Sequence, residues 1–165
     1  MTEVWQRVLN DAEATAAMGA ALARVLHGEP GGVVFLEGDL GAGKTTLARG
    51  LLRAIGVRGA IRSPTYTLVE PYDLPDRRLL HMDLYRLQHP DELEQLGLAD
   101  QPPEHWLWLV EWPQRGTGFL PPADLRIHLQ TQGDGRCVQL TLLTDEPRRR
   151  ERLRQHLNAE FEIAP

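Results

Sequence analysis

Short apolar runs alternate along this chain with segments of helical periodicity. Residues 3–9 alternate partially between apolar and polar side chains and predict a short edge strand. Asn10 or Asp11 then offers a side-chain oxygen to the free N–H groups of a helix start. Met18, Ala21, Leu22, Val25 and Leu26 recur at i, i+3, i+4, i+7 and i+8, a single apolar stripe that predicts a helix packed on a sheet. Residues 27–32, His-Gly-Glu-Pro-Gly-Gly, end that helix and place His27 in solvent. The run Val33 to Leu36 predicts a buried strand, and residues 46–55 return to helical spacing before Gly56. Residues 66–72 and 79–85 read as two strands, antiparallel to each other, around a turn at 73–76. Residues 90–97 predict a short helix with Pro90 and acids early and Gly97 at its end. The nearly continuous apolar run 106–111 predicts a central strand covered on both faces. A loop follows over 113–122. Residues 124–131 and 136–143 alternate around Gly133-Asp134-Gly135 and predict a hairpin, and 147–157 a terminal helix.

Parallel crossovers mixed with hairpins predict one α/β domain over residues 1–165, in three layers with a mixed parallel/antiparallel sheet. The Arg-rich helix and tail at 147–165 complete it. No internal repeat or low-complexity segment interrupts the pattern.

Between the strand at Val33 and the helix after Thr46 lies Gly38-Asp39-Leu40-Gly41-Ala42-Gly43-Lys44-Thr45, the G-x-x-x-x-G-K-[ST] spacing of a Walker A loop. Glycines let successive N–H groups turn inward on phosphate oxygens, and the following helix adds its positive end. Lys44 is placed to reach the β- and γ-phosphates, and the Thr45 hydroxyl to hold Mg²⁺. The fold expectation is therefore a P-loop NTPase-like domain.

Nucleotide hydrolysis also needs acids. Glu111 closes the apolar run Leu107 to Val110, where a strand delivers a carboxylate beside the phosphate loop; it holds Mg²⁺, through water or directly, or acts as base. Asp83 interrupts an otherwise apolar strand, a costly place for an acid unless it is paired or sits at the wet end of the sheet. It suits positioning a water, either the attacking one or one bound to Mg²⁺. Ser63 and Thr65 stand where P-loop proteins often carry a switch segment; the alternative is a turn with local hydroxyl bonds. Trp112 is either a plug at the sheet edge or an exposed anchor for a partner. His81 shares a strand face with Asp83, and no third ligand is spaced for zinc. Arg148, Arg149, Arg150, Arg152 and Arg154 read as a solvated helix face or as a contact for a polyanion or partner.

Bulk properties narrow the choice. The net charge of −5 argues against a chain that coats nucleic acid by itself. The single Cys137 excludes an intrachain disulfide, and no apolar run approaches the ~20 residues of a membrane span. A soluble, cytoplasmic protein is expected. No N-K-x-D or T-K-x-D sequence occurs, which favours ATP over GTP, and no Arg-rich lid supports a small-molecule kinase.

Five segments in this order, GDLGAGKTT (38–46), SPTYTLVEPY (63–72), HMDLYRL (81–87), DELEQLGL (91–98) and LVEWPQRGTGFLP (109–121), make the chain resemble the TsaE family. The resemblance runs from about residue 10 to 143. It implies a cytoplasmic P-loop ATPase that works with two subunits, TsaB and TsaD, in making threonylcarbamoyladenosine at adenosine 37 of tRNAs reading codons that start with A. On that resemblance the ATP cycle resets or remodels the TsaB–TsaD complex, and tRNA is met through the complex. It implies that Gly41 to Thr46 hold the phosphates, Thr45 and Glu111 the Mg²⁺, that Asp83 and Glu111 support hydrolysis, and that Trp112 matters for activity. Arg136 and Ala12 match positions near the nucleotide, although Ala12 stands where some relatives carry an acid. A nucleotide-switched binding module with negligible hydrolysis and a small-molecule kinase are the competing expectations.

Overall fold

The computed structural model describes residues 2–61 and 63–165. Strand β1 (Val4–Leu9) leads into α1 (Ala12–Val25), and Asp11 caps that helix by accepting the Ala14 N–H at 2.7 Å. The predicted stripe of α1 is buried, Met18, Leu22 and Val25 completely. β2 (Gly32–Gly38) then passes through the phosphate loop into α2 (Lys44–Ala54), which buries Leu47, Leu51 and Leu52. Each such side chain contributes about 1.5–3 kcal/mol relative to exposure. Packing rather than helix propensity therefore holds a helix with Gly19 in its interior.

Gly19 and Gly50 are where α1 and α2 touch backbone to backbone. A Cβ on Gly19 would lie 2.2 Å from the Leu47 carbonyl oxygen, and one on Gly50 would lie 2.1 Å from that of Ala16. Any side chain there forces the helices apart.

β3 (Val69–Asp73), β4 (Arg78–Asp83), β5 (Leu107–Glu111), β6 (Leu125–Gln132), β7 (Gly135–Leu142) and the two-residue β8 (Glu162–Ile163) complete one sheet, in the order β3-β4-β5-β2-β6-β7-β1-β8. β4, β5, β2 and β6 run parallel; the other neighbours are antiparallel, so the sheet is mixed. Register sorts the faces. Leu36, Leu109, Ile127 and Leu140 join the core with α1 and α2, while Val33, Met82, Trp108 and Val110 join a second core on the other face. That second core is covered by Leu84, Leu87, Leu93 and Trp106, from a segment carrying 3-10 helices at Pro90–Gln95 and Leu98–Asp100.

Several expected boundaries move. The strand expected over 66–72 begins at Val69: the Leu68 N–H bonds the Pro64 carbonyl at 2.8 Å, and Leu68 has φ 66°, so residues 64–68 form a turn. The strand expected to reach residue 85 stops at Asp83, because the Tyr85 N–H turns back to the Asp83 carboxylate at 3.1 Å and the Leu87 N–H to the Leu84 carbonyl at 3.0 Å, which leads the chain out of the sheet. The helix at 90–97 is 3-10 in form. β1 is not the edge strand that its pattern suggests; β8 pairs with it through Trp5 and Gln6.

The terminal helix α3 (Pro147–Glu160) spends most of its arginines inside the chain. Arg152 makes two bonds, 2.8 and 3.1 Å, to Glu29, whose side chain is 2% exposed, and Arg149 reaches the same carboxylate at 3.2 Å and Asp124 at 3.4 Å. Arg154 pairs with Glu3, and Arg150 donates to the carbonyls of Leu142 and Thr144. The run is thus more than a solvated face: Arg149, Arg150, Arg152 and Arg154 fasten α3 to the segment before β2 and to the strands beside it, while Arg148 stays exposed. No helix among the described residues is long and apolar enough to cross a membrane.

Candidate functional site

β2 stops at Gly38 and α2 starts at Lys44, so the chain must reverse within a few residues. Gly43, the residue before α2, has φ 104°, a conformation that favours glycine, and no side chain caps the helix start. The N–H groups that a cap would satisfy are left to a ligand. Beneath the loop opens a cleft of about 430 Å³, at the C-terminal ends of the parallel strands β2, β4 and β5. Ligands of open α/β sheets bind at this end of the strands.

Gly41, Gly43, Lys44, Thr45 and Thr46 line one side of the cleft, and Asp83, Glu111 and Trp112 face them. Asp83 and Glu111 are register partners on the neighbouring strands β4 and β5. The Thr45 hydroxyl donates to Glu111 Oε1 at 3.3 Å. A hydroxyl and a carboxylate oxygen side by side at a helix start are hard donors of the kind that Mg²⁺ takes, so the residues fit that ion. Among the described residues no group of three or more His, Cys, Asp or Glu side chains forms a protein-only cage. Mg²⁺ commonly completes its shell from phosphates and water, which suits this sparse set.

Lys44 is buried and donates to the carbonyls of Gly38 at 2.5 Å and Asp39 at 2.8 Å. Its Nζ also lies 4.3 Å from the centre of the Trp112 ring. Burial lowers the Lys44 pKa, opposed by the charges of Glu111, Asp83 and Asp39. Burial raises the Asp83 carboxyl; the Tyr85 N–H, which it accepts at 3.1 Å, pulls the other way, and the neighbouring Glu111 pushes it up further.

Trp112 is neither a plug at the sheet edge nor a fully exposed anchor. It follows a central strand, is half-buried, and packs against Tyr85 with ring centroids 5.0 Å apart. Its backbone sits at φ 56°, ψ 50°, a strained conformation for a residue with a large side chain, at the wall of the cleft.

Arg136 and Ala12 are on the other side of the loop. With Thr15, Gly41 and Thr46 they line a neighbouring hollow of about 170 Å³. Arg136 clamps the loop itself: Nε donates to the Ala42 carbonyl at 2.9 Å and Nη2 to that of Gly41 at 3.0 Å. Leu40 is 72% exposed at the lip of the cleft. Thr65 lines the cleft, whereas Ser63 bonds the Thr65 hydroxyl at 2.6 Å, so the local turn and the facing position occur together. Tyr85 and Arg86 complete the far wall and were not expected there; their sequence signal is to stand two and three residues after Asp83.

Residues 9–138 match the family model described as TsaE, threonylcarbamoyl adenosine biosynthesis protein. The chain belongs to the TsaE family. The tRNA threonylcarbamoyladenosine biosynthesis protein TsaE of Haemophilus influenzae is 46% identical over 120 residues, 73% of this chain and 76% of that protein. The protein of the same name from Bacillus subtilis is 38% identical over 136 residues, 81% of this chain and 82% of its own length. The crystal structure of Bacillus subtilis YdiB superposes with a TM-score of 0.77 at 29% identity, covering 96% of this chain and 97% of that one. The P-loop-like mixed α/β sheet of this TsaE family member is thus shared with a solved structure.

Proposed function

We propose that this chain binds and hydrolyses Mg-ATP as the ATPase subunit serving threonylcarbamoyladenosine modification of tRNA, acting on TsaB and TsaD partners in the cytoplasm. The observation that carries the reading is the meeting of Lys44, Thr45, Asp83 and Glu111 in one cleft under an uncapped helix start. In the proposed site the loop amides from Gly41 to Thr46, with Gly38, Asp39 and Leu40 setting the turn, receive the phosphates. Lys44 leaves the carbonyls of Gly38 and Asp39 for phosphate oxygens. Thr45 and Glu111 hold Mg²⁺, which when bound neutralises charge on the β- and γ-phosphates.

Asp83 is the group for the attacking water. A carboxylate raised by burial is a better proton acceptor than an ordinary one, and it stands beside Glu111 without being bonded to it. Trp112 and Tyr85 wall the cleft against bulk water. Ala12 and Arg136, around the smaller hollow, are the proposed boundary of the nucleoside side. Thr65, at the cleft wall, reports the γ-phosphate to a partner, and Ser63 acts through its bond to the Thr65 hydroxyl.

ATP turnover by the pure protein, alone and with TsaB–TsaD and tRNA, tests the proposal. Slow turnover alone and faster turnover with the partners is expected, and Lys44→Ala loses tight ATP binding with an unchanged circular dichroism spectrum. Phosphate transfer that requires an added small acceptor would make the chain a kinase. Partner assembly that needs ATP but survives Asp83→Ala and Glu111→Ala undiminished would make it a binding switch.

A further inference from the structure

Beneath the cleft floor is a contact that the proposed function does not use. His81, on β4, is 1% exposed, and its Nε2 lies 2.6 Å from Glu111 Oε2, in a side chain 2% exposed. The other carboxylate oxygen of Glu111 receives the Thr45 hydroxyl. A line therefore runs from the first turn of α2, through Glu111, to a histidine inside the sheet. His81 and Glu111 do not face each other in register: His81 is the partner of Leu109, and Glu111 that of Asp83. Glu111 must accordingly lean back along its strand to meet the imidazole.

The other ring nitrogen explains why this arrangement is more than packing. His81 Nδ1 is the one buried side-chain nitrogen or oxygen among the described residues without a hydrogen-bond partner. Buried polar groups are nearly always paired, so an orphan asks for a reason. If the position only filled volume among Leu79, Leu109 and their neighbours, an apolar side chain would fill it with no orphan. What a leucine cannot supply is the donor to Glu111. With Glu111 as a carboxylate, the contact requires a proton on Nε2.

We infer that His81 is a positioning residue: its Nε2–H holds one oxygen of Glu111 and so turns the other toward Thr45 and the bound ion. The inference rests on the proposed role of Glu111 toward Mg²⁺. A ligating carboxylate with two free rotamers samples many directions, and one fixed by a buried donor samples few, which raises affinity for the ion. Removing His81 should therefore weaken the response to Mg²⁺ and spare the grip on phosphates, which the loop supplies.

His81→Leu and His81→Gln separate this role from simple packing. Nucleotide titration without Mg²⁺ should give affinities within about twofold of the parent for both variants. The Mg²⁺ concentration that half-saturates nucleotide binding should rise about tenfold in His81→Leu and return most of the way in His81→Gln, whose amide can donate. With saturating partners, kcat of His81→Leu should fall by about tenfold or more while KM for ATP stays within about twofold. Unchanged Mg²⁺ dependence in a folded His81→Leu protein would overturn the inference. Should both variants fail to fold, ¹⁵N NMR of histidine-labelled parent protein decides: a proton on Nε2 is required, and one resting on Nδ1 refutes it. A Lys44→Ala protein that binds ATP as tightly as the parent would sink the parent reading, whereas equal Mg²⁺ responses in parent and His81→Leu would sink only this one.

Discussion

Replacing Arg136 by alanine tests whether the phosphate loop is shaped from outside. Two of its donors cross to the loop, Nε to the Ala42 carbonyl at 2.9 Å and Nη2 to the Gly41 carbonyl at 3.0 Å, and Nη1 bonds the Gly135 carbonyl of its own strand. In a trans peptide the C=O and the next N–H point in opposite directions. Pulling the Ala42 carbonyl outward therefore aims the Gly43 N–H inward. A hydrogen bond from a charged donor contributes about 1.5–3 kcal/mol when desolvated. Arg136 is half-buried and the Gly41 bond is exposed, so roughly 1 kcal/mol apiece is a fair discount, about 2 kcal/mol together. If all of it orders the loop, the competent fraction falls about 30-fold and the apparent Kd rises equally. Other bonds keep part of the order: Ala42 N–H to the Asp39 carbonyl at 3.0 Å, and Lys44 to those of Gly38 and Asp39. About tenfold weaker binding is therefore expected in Arg136→Ala by calorimetric titration. ATP and ADP should weaken by the same factor, because the clamp touches no phosphate. Arg136→Lys should not rescue, since one ammonium cannot span both carbonyls as the guanidinium fork does. Unchanged affinity, or a loss confined to ATP, would refute the clamp.

Two further predictions concern the frame that presents the site. Glu29→Gln removes the charge that Arg149 and Arg152 share; with both arginines partly open to water, about 2 kcal/mol should be lost, a Tm lower by about 4–8 °C by calorimetry. Burial alone pushes the Glu29 carboxyl up, but Arg152 and then Arg149 outweigh it and hold it below the ordinary value. That stabilisation is complete above the unfolded pKa of about 4.3 and is lost as pH falls through the lower folded value, so parent and variant Tm should converge in acid. Gly50→Ala places a methyl 2.1 Å from the Ala16 carbonyl oxygen and should cost about 1–3 kcal/mol, read from urea unfolding; a neutral result would mean that the helices are not in contact there.

Much of this was legible in the sequence. The Walker A spacing placed Lys44 and Thr45, and a hydrophobic strand ending in an acid placed Glu111, because both patterns are local and their chemistry demands them. The hairpin at 124–143 was legible for the same reason. Pairings between distant segments were not. His81 looked like a metal ligand lacking companions, whereas its partner is Glu111, 30 residues away and off register. Three of the five C-terminal arginines, Arg149, Arg152 and Arg154, read as surface because their carboxylates, at Glu29, Asp124 and Glu3, lie more than 20 residues upstream. The strand expected from Tyr66 began late because Pro64 set a turn whose closure, from Pro64 to Leu68, outweighed the β-branched composition.

The two rims of the sheet differ in how they resist self-association. At one, β3 carries Pro71 in its middle, which denies a neighbour one main-chain donor. At the other, β1 is shielded only where Glu162 and Ile163 lie along it. Val8, 60% exposed, already faces water on that strand. Any change that peels Glu162–Ile163 away bares a ready template for a second copy of the chain, and clumping rather than loss of catalysis becomes the first symptom.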